Sequence, residues 1–295
     1  MKNLKNRSII INADDFGWGF KQTDTIVECH LRGIVTSATL MANMPAAEYA
    51  AKRASDVPDL SVGVHLNLTE GPSILPACAV PDLVDESGSF PGNAIQSSRL
   101  WRGGGKFFAQ VRRELSAQIA RCLDLGLKPT HCDSHHGIHK LPVVQRAMVE
   151  VMKDNLIKKA RTPLSYHRLR SDALMLKSVI PCFRINLLRA PAIGLHILSH
   201  FRLRQDGVIT PKWKATRSMG VPSGPSPKEQ LMSCIAATPS GCSEILLHPG
   251  DHGPEDHPSS WHLRTWAEDT PLCLDSEIAY FIQKSGISLI SFRAL

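Results

Sequence analysis

Four times along the chain a short apolar run ends in an acidic or imidazole side chain and breaks at once into a turn. The four are Ser8-Ile9-Ile10-Ile11-Asn12-Ala13-Asp14-Asp15-Phe16-Gly17, Leu60-Ser61-Val62-Gly63-Val64-His65-Leu66-Asn67-Leu68-Thr69, Pro129-Thr130-His131-Cys132-Asp133-Ser134-His135-His136-Gly137-Ile138-His139 and Ser243-Glu244-Ile245-Leu246-Leu247-His248-Pro249-Gly250. Runs of this length read as strands, and the segments between them carry helical spacing. From Lys106 to Leu125, for example, Phe108, Val111, Leu115, Ile119 and Cys122 recur every three or four residues and stop at Gly126 and Pro129. Further helices are expected over 23–32, 46–54, 142–154, 227–237 and 274–285, and strands near 8–13, 37–41, 61–67, 129–133, 243–247 and 287–291. Because parallel neighbours need a crossover between them, the alternation implies an α/β fold: a parallel sheet closed, or nearly closed, into a barrel.

In such a sheet, groups far apart in sequence meet at the carboxyl ends of the strands. Taken singly, each segment has a plain reading: one aspartate of a pair caps a helix, and a lone histidine is a hydrogen-bonded core or surface residue. Repetition of one layout points instead to a shared site. One carboxylate with two imidazoles is a mixed oxygen and nitrogen set that suits a divalent ion with positions left open. Zinc is the ordinary occupant; ligand type alone leaves magnesium and manganese open as well, although magnesium prefers more oxygen.

Five blocks extend this reading: Asn12-Ala13-Asp14-Asp15-Phe16-Gly17, the stretch from Gly33 to Pro45, Gly63-Val64-His65-Leu66-Asn67-Leu68-Thr69-Glu70-Gly71, Pro129-Thr130-His131-Cys132-Asp133-Ser134-His135 and Glu244-Ile245-Leu246-Leu247-His248-Pro249-Gly250. Their ordered set resembles the YdjC-like carbohydrate deacetylase family. The resemblance implies a distorted TIM-like barrel and a metal-dependent hydrolase that removes N-acetyl groups from an amino sugar, either an oligosaccharide or a lipid-linked glycoside. It assigns Asp15, His65 and His135 to one divalent metal ion, zinc or magnesium. Asp14 matches the general base, and His248 the proton donor or oxyanion partner. A homodimer is a further implication. One departure stands out: members commonly continue Asp-Ser-His-x-His-x-His, but this chain has His136-Gly137-Ile138-His139, so any role of the middle histidine is lost or passes to His136.

These roles answer the two difficulties of amide hydrolysis, a poor electrophile and a poor nucleophile. A metal lowers the pKa of bound water from about 15.7 toward roughly 7. Asp14 would take the proton from that water, and His248 would protonate the leaving amine. Asp251 or Asp133 would orient an imidazole through its second ring nitrogen, although Asp133 reads equally well as a strand-end turn residue. Cys132, between His131 and Asp133, should point away from their face and pack in the core.

The remaining features set the frame. A chain of 295 residues is ordinary for one α/β barrel, and no composition break divides it, so 1–295 is read as one domain. Residues 72–105, rich in proline and glycine, form an insertion after His65 that reads as a candidate substrate-binding loop over the strand ends in preference to a passive surface connection. The eight cysteines include no C-x-x-C pair and read as reduced. Met1 to Arg7 leads straight into the first strand without a signal-type apolar run, and nothing approaches the roughly 18 apolar residues a bilayer span needs, so a cytoplasmic location is expected.

The formal charge of +7 is concentrated between Lys153 and Arg204, with eleven Lys or Arg against Asp154 and Asp172. The segment reads either as a solvated face over core helices or as helices touching an anionic membrane surface or a phosphorylated or lipid-linked sugar. The second reading would fit a hopanoid-associated branch of the family. Nucleic acid is not expected, since no binding motif accompanies the charge. Two other functions use the same residues: a metal-dependent phosphoesterase, for which no glycine-rich phosphate cradle is present, and a non-catalytic sugar-binding relative.

Overall fold

The computed structural model describes residues 6–102, 104–165, 183–215, 225–253 and 259–295. Seven parallel strands form one sheet: β1 (Arg7–Phe16), β2 (Ser37–Leu40), β3 (Ser61–Leu66), β4 (Cys132–Ser134), β5 (Trp213–Ala215), β6 (Gly241–Leu247) and β7 (Ser288–Leu289). Their order is β4-β3-β2-β1-β6-β5, with β7 pairing the start of β1. Ile9, Ile10 and Ile11 of β1 are all fully buried, as expected for a central parallel strand covered on both faces.

The sheet curls into a distorted TIM-like barrel with helices outside it. Isolated parallel bridges, Cys132 with Ala160 and Ser165 with Lys214, carry the ring from β4 round to β5 through residues 160–165. That bridging segment sets Arg161 inside the barrel.

The expected helices form at Phe20–Arg32, Ala47–Asp56, Gly105–Asp124, Pro142–Asp154, Pro227–Ala236 and Ser276–Lys284. In the Gly105–Asp124 helix, Val111, Leu115, Ile119 and Cys122 are buried, the stripe anticipated from their spacing. β5 and the helices Asn93–Arg102 and Ser260–Leu274 were not anticipated, and the helix Phe183–Gln205 falls within the basic stretch. β5 has only three residues, too few for a periodic signal.

Segment 72–105 is folded, with a helix at its end. Glu114 of the following helix accepts the Ile74 and Leu75 amides at 2.9 and 3.0 Å. The basic stretch is divided: Arg161 is buried, Lys153 pairs with Asp206 at 2.8 Å, and Arg168, Arg170 and Lys177 lie outside the described residues. Arg161 therefore belongs to the barrel interior and not to a basic surface. No disulfide joins the described cysteines, and no described helix is long and apolar enough to cross a membrane.

Candidate metal centre and catalytic cleft

In a regular strand, adjacent residues face opposite sides, so Asp14 and Asp15 should not both reach one site. The end of β1 breaks this rule. Ala13 pairs with Ala38 and Phe16 with Leu40, so β1 holds one more residue than β2 over this stretch, a bulge. Asp15 takes the left-handed backbone at φ +66°, uncommon for a residue with a side chain. Both carboxylates thereby turn toward the barrel mouth.

Asp15, His65 and His135 each offer one ligand atom, all within 4.8 Å of one another, and all three residues are buried. Asp15 Oδ1 lies 3.2 Å from His65 Nε2 and 2.9 Å from His135 Nδ1. Its other oxygen, Oδ2, is buried without a hydrogen-bond partner. A carboxylate oxygen with no donor, beside two imidazoles whose ring nitrogens offer lone pairs once deprotonated, fits a divalent cation.

The far nitrogens of both imidazoles have carboxylate partners. His65 Nδ1 lies 2.6 Å from Asp133 Oδ1, and His135 Nε2 lies 2.9 Å from Glu70 Oε2. A carboxylate accepting the second N–H fixes the tautomer that leaves the first nitrogen a lone pair. Asp133 thus orients an imidazole, one of the two roles open to it. Asp251 pairs instead at the surface, with Lys21 at 2.7 Å and the exposed His252 ring at 3.6 Å, and orients no imidazole of the cluster. Glu70 is delivered by a turn in which Asn67 Oδ1 accepts the Thr69 and Glu70 amides. Gly63, two residues before His65, has a steric reason: a Cβ there would come within 2.6 Å of the His131 ring.

Burial disfavours the imidazolium, yet Asp133 and Asp15 raise the pKa of His65 to about 10. By the same balance, Asp15 and Glu70 raise that of His135 to about 9. For Asp15, burial opposes ionisation, and the two histidines more than offset it, holding the carboxyl well below its usual range.

Beside this cluster is a buried network that the sequence does not reveal. Arg161 donates to both oxygens of Asp14 at 2.7 and 2.6 Å, to Glu244 Oε1 at 2.7 Å, and lies 2.8 Å from Asp133 Oδ2. Burial raises the Asp14 pKa, but the guanidinium outweighs it and leaves a net lowering. Burial of Glu244, against the pull of Arg161, pushes its carboxyl up to about 7. His248, after β6, places Nε2 at 3.8 Å from Asp14 Oδ2, and Asp269 Oδ2 lies 3.8 Å from His248 Nδ1. Burial lowers the His248 pKa, but Asp269 and Asp14 give a net rise. Trp261 meets the His248 ring edge-on with centroids 5.1 Å apart.

The other histidines of the third segment separate by role. His131 stacks on Phe292 with ring centroids 3.6 Å apart, and burial drives its pKa down to about 3, so it is a neutral core residue. His136 Nδ1 pairs with Thr69 Oγ1 at 2.9 Å, and His139 Nδ1 with Ser134 Oγ at 2.7 Å. Cys132 is fully buried in the core, as expected from its place in the strand. A cleft of about 210 Å³ opens on the cluster, lined by Asp14, His65, His135, His248, Lys214 and Trp261 among others. Among the described residues, none of segment 72–105 is in its lining.

Arg161, Glu70, Glu244, Asp269 and Trp261 were not singled out from sequence for this site. Glu70 and Glu244 carried a signal, through their places in the blocks that contain His65 and His248.

A carbohydrate deacetylase of Geobacillus stearothermophilus is 49% identical over 140 residues, covering 47% of this chain and 53% of that protein. The match thus spans about half the length of this relative. One from Thermoanaerobacter pseudethanolicus is 28% identical over 290 residues, covering 97% of this chain and 98% of the relative. The crystal structure of an Enterococcus faecalis protein described as a cellobiose-phosphate cleavage protein superposes with a TM-score of 0.77 at 24% identity, covering 98% of this chain and 99% of that one, a likeness of fold. The YdjC-like protein profile matches residues 8–284, and the chain belongs to that family.

Proposed function

We propose that the protein is a metal-dependent carbohydrate deacetylase that hydrolyses the N-acetyl group of an amino sugar. The observation that carries this reading is the convergence of Asp15, His65 and His135 at one mouth of the barrel, with Asp14 and His248 on the adjoining wall. Similarity to proteins named carbohydrate deacetylase supports the substrate class.

In this reading Asp15, His65 and His135 hold one divalent cation, zinc or magnesium. When bound, the ion supplies Lewis acidity toward the acetyl carbonyl and the attacking water. Asp14 takes the water proton. Arg161 holds its carboxylate in place and ionised, which favours geometry at some expense in basicity. His248, kept protonated above the ordinary histidine range, gives its proton to the departing amine nitrogen. Trp261 lines the cleft and supplies an aromatic side chain against which a sugar ring would pack.

The test is elemental analysis of the purified protein combined with an acetate-release screen over N-acetylated sugars, run on wild type and Asp14→Asn. Acetate release by wild type only, with one equivalent of metal in both, is the expected result. Undiminished release by Asp14→Asn would remove Asp14 from the mechanism, and phosphate release from esters without acetate release would favour a phosphoesterase.

A further inference from the structure

His135 faces two ways. Its Nδ1 lies toward Asp15 in the cluster described above, and its Nε2 lies 2.9 Å from Glu70 Oε2. On that second side Glu70, His135 and His136 each offer one ligand atom, all within 4.8 Å of one another. The reaction above uses this side only for the hydrogen bond from His135 to Glu70.

The chain places and prepares His136. Its backbone is left-handed at φ +53°, uncommon for a residue with a side chain, and its ring lies beside that of His135 with centroids 3.9 Å apart. Thr69 fixes the tautomer. Its Oγ1 donates its one proton to Asn67 Oδ1 at 3.2 Å, so toward His136 Nδ1, at 2.9 Å, it accepts. The ring proton is held on Nδ1, and Nε2 keeps the lone pair that a metal takes. Asn67 Oδ1 also accepts the Glu70 amide at 3.1 Å, so one turn places both Glu70 and the hydroxyl that orients His136. Glu70 is 33% exposed and His136 is exposed, whereas Asp15 and His65 are buried, so this group is on the solvent side of His135.

We propose that Glu70, His135 and His136 form a second and weaker divalent-metal site, filled only by metal in excess of the first ion, and that filling it inhibits the protein. The inhibition rests on the deacetylase reading; the site does not. Two imidazoles and a carboxylate select zinc or a similar transition metal over magnesium. The ion takes the place of the proton between His135 Nε2 and Glu70, and that proton leaves to solvent. With the first ion on Nδ1, His135 then bridges two cations, and their repulsion makes the second binding the weaker. Glu70 no longer accepts a proton from His135, so the outer partner that orients this ligand is lost. The ion also stands beside the cleft that His136 lines.

The test titrates zinc into the metal-free protein by equilibrium dialysis with elemental analysis. At each zinc concentration, acetate release is followed with the best sugar of the screen above. Wild type should bind zinc in two steps, with acetate release rising over the first and falling about tenfold or more over the second. His136→Asn, a residue that tolerates the left-handed backbone, should keep the first step and lose the second together with its inhibition. The retained first step reports an intact fold. Thr69→Val should weaken the second step about 10–100-fold. Excess magnesium should not inhibit.

A single step in wild type at every zinc concentration, or a second step unchanged in His136→Asn, would overturn the site. A second step with no fall in acetate release would overturn the inhibition. If no sugar yields acetate, the deacetylase reading fails separately and the inhibition with it, and the dialysis steps still decide the site.

Discussion

Loading the site with zinc should release about two protons per ion at pH 7.5. In the metal-free protein, burial disfavours charging both imidazoles, but their carboxylate partners raise His65 to about 10 and His135 to about 9. Both therefore carry a second proton at neutral pH, while Asp15, held well below its ordinary range, carries none. A metal accepts only the neutral imidazole, so each ligand must give up its proton on binding.

The sign follows from the raised values: the free, protonated site is favoured at low pH, and affinity is lost as pH falls. The logarithm of the apparent association constant should rise by about two per pH unit up to about pH 9, by one between about 9 and 10, and then level off. Lowering the pH from 7.5 to 6.5 should weaken zinc about 100-fold, or about 2.7 kcal/mol. Calorimetric titration in two buffers of different ionisation enthalpy counts the protons directly, and competition with a chelator gives the pH slope. Asp133→Asn removes the partner of His65 Nδ1, so the count should fall toward one. A wild-type count below one, or a change in affinity under tenfold between pH 6.5 and 7.5, would refute the assignment of these two histidines as ligands.

Asp14→Asn should lower kcat by about 10²–10⁴-fold with metal content unchanged, as read by acetate release and elemental analysis. Arg161→Met leaves Asp14, Asp133 and Glu244 buried without their cation, a loss of about 3–5 kcal/mol. At roughly 2–4 °C per kcal/mol for a chain of this size, the melting temperature should fall by about 6–20 °C, and a fall under 2 °C would contradict the buried network. If His248 is the proton donor, the wild-type rate should decline as it loses its proton above the ordinary histidine range, and His248→Asn should remove that alkaline limb of the pH–rate profile. Gly137→His should cost about 1–3 kcal/mol on denaturant unfolding, since position 137 has φ +64° and the new side chain must displace Lys140.

Much of the barrel was legible in local pattern. Isoleucine runs, alternation in Leu60 to Thr69, and a helical stripe from Phe108 to Cys122 each carry a periodicity that survives in the structure. The three-residue β5 carries none, so the strand that bears Lys214 was invisible. The candidates read from the sequence, Asp14, Asp15, His65, His135 and His248, sit at strand ends inside recognisable blocks, and the structure brings them to one cleft. Arg161 was counted with the basic stretch because charge composition does not distinguish a solvated arginine from one buried among three carboxylates. Asp251 was considered as an orienting residue because it is near His248 in sequence, whereas Asp269 occupies the position beside His248 from the Ser260–Leu274 helix.

The sequence by itself determined the alternation of strand and helix, and with it the parallel sheet that collects distant residues at one end. It also determined the donor types available there, because side-chain chemistry travels with the residue. Tertiary structure decided which donors meet. The bulge at Asp14 and Asp15 turns two neighbouring carboxylates to the same side, and the bridge through residues 160–165 sets Arg161 inside the ring. Both outcomes depend on pairing between strands far apart in sequence, and no local spacing encodes such a register.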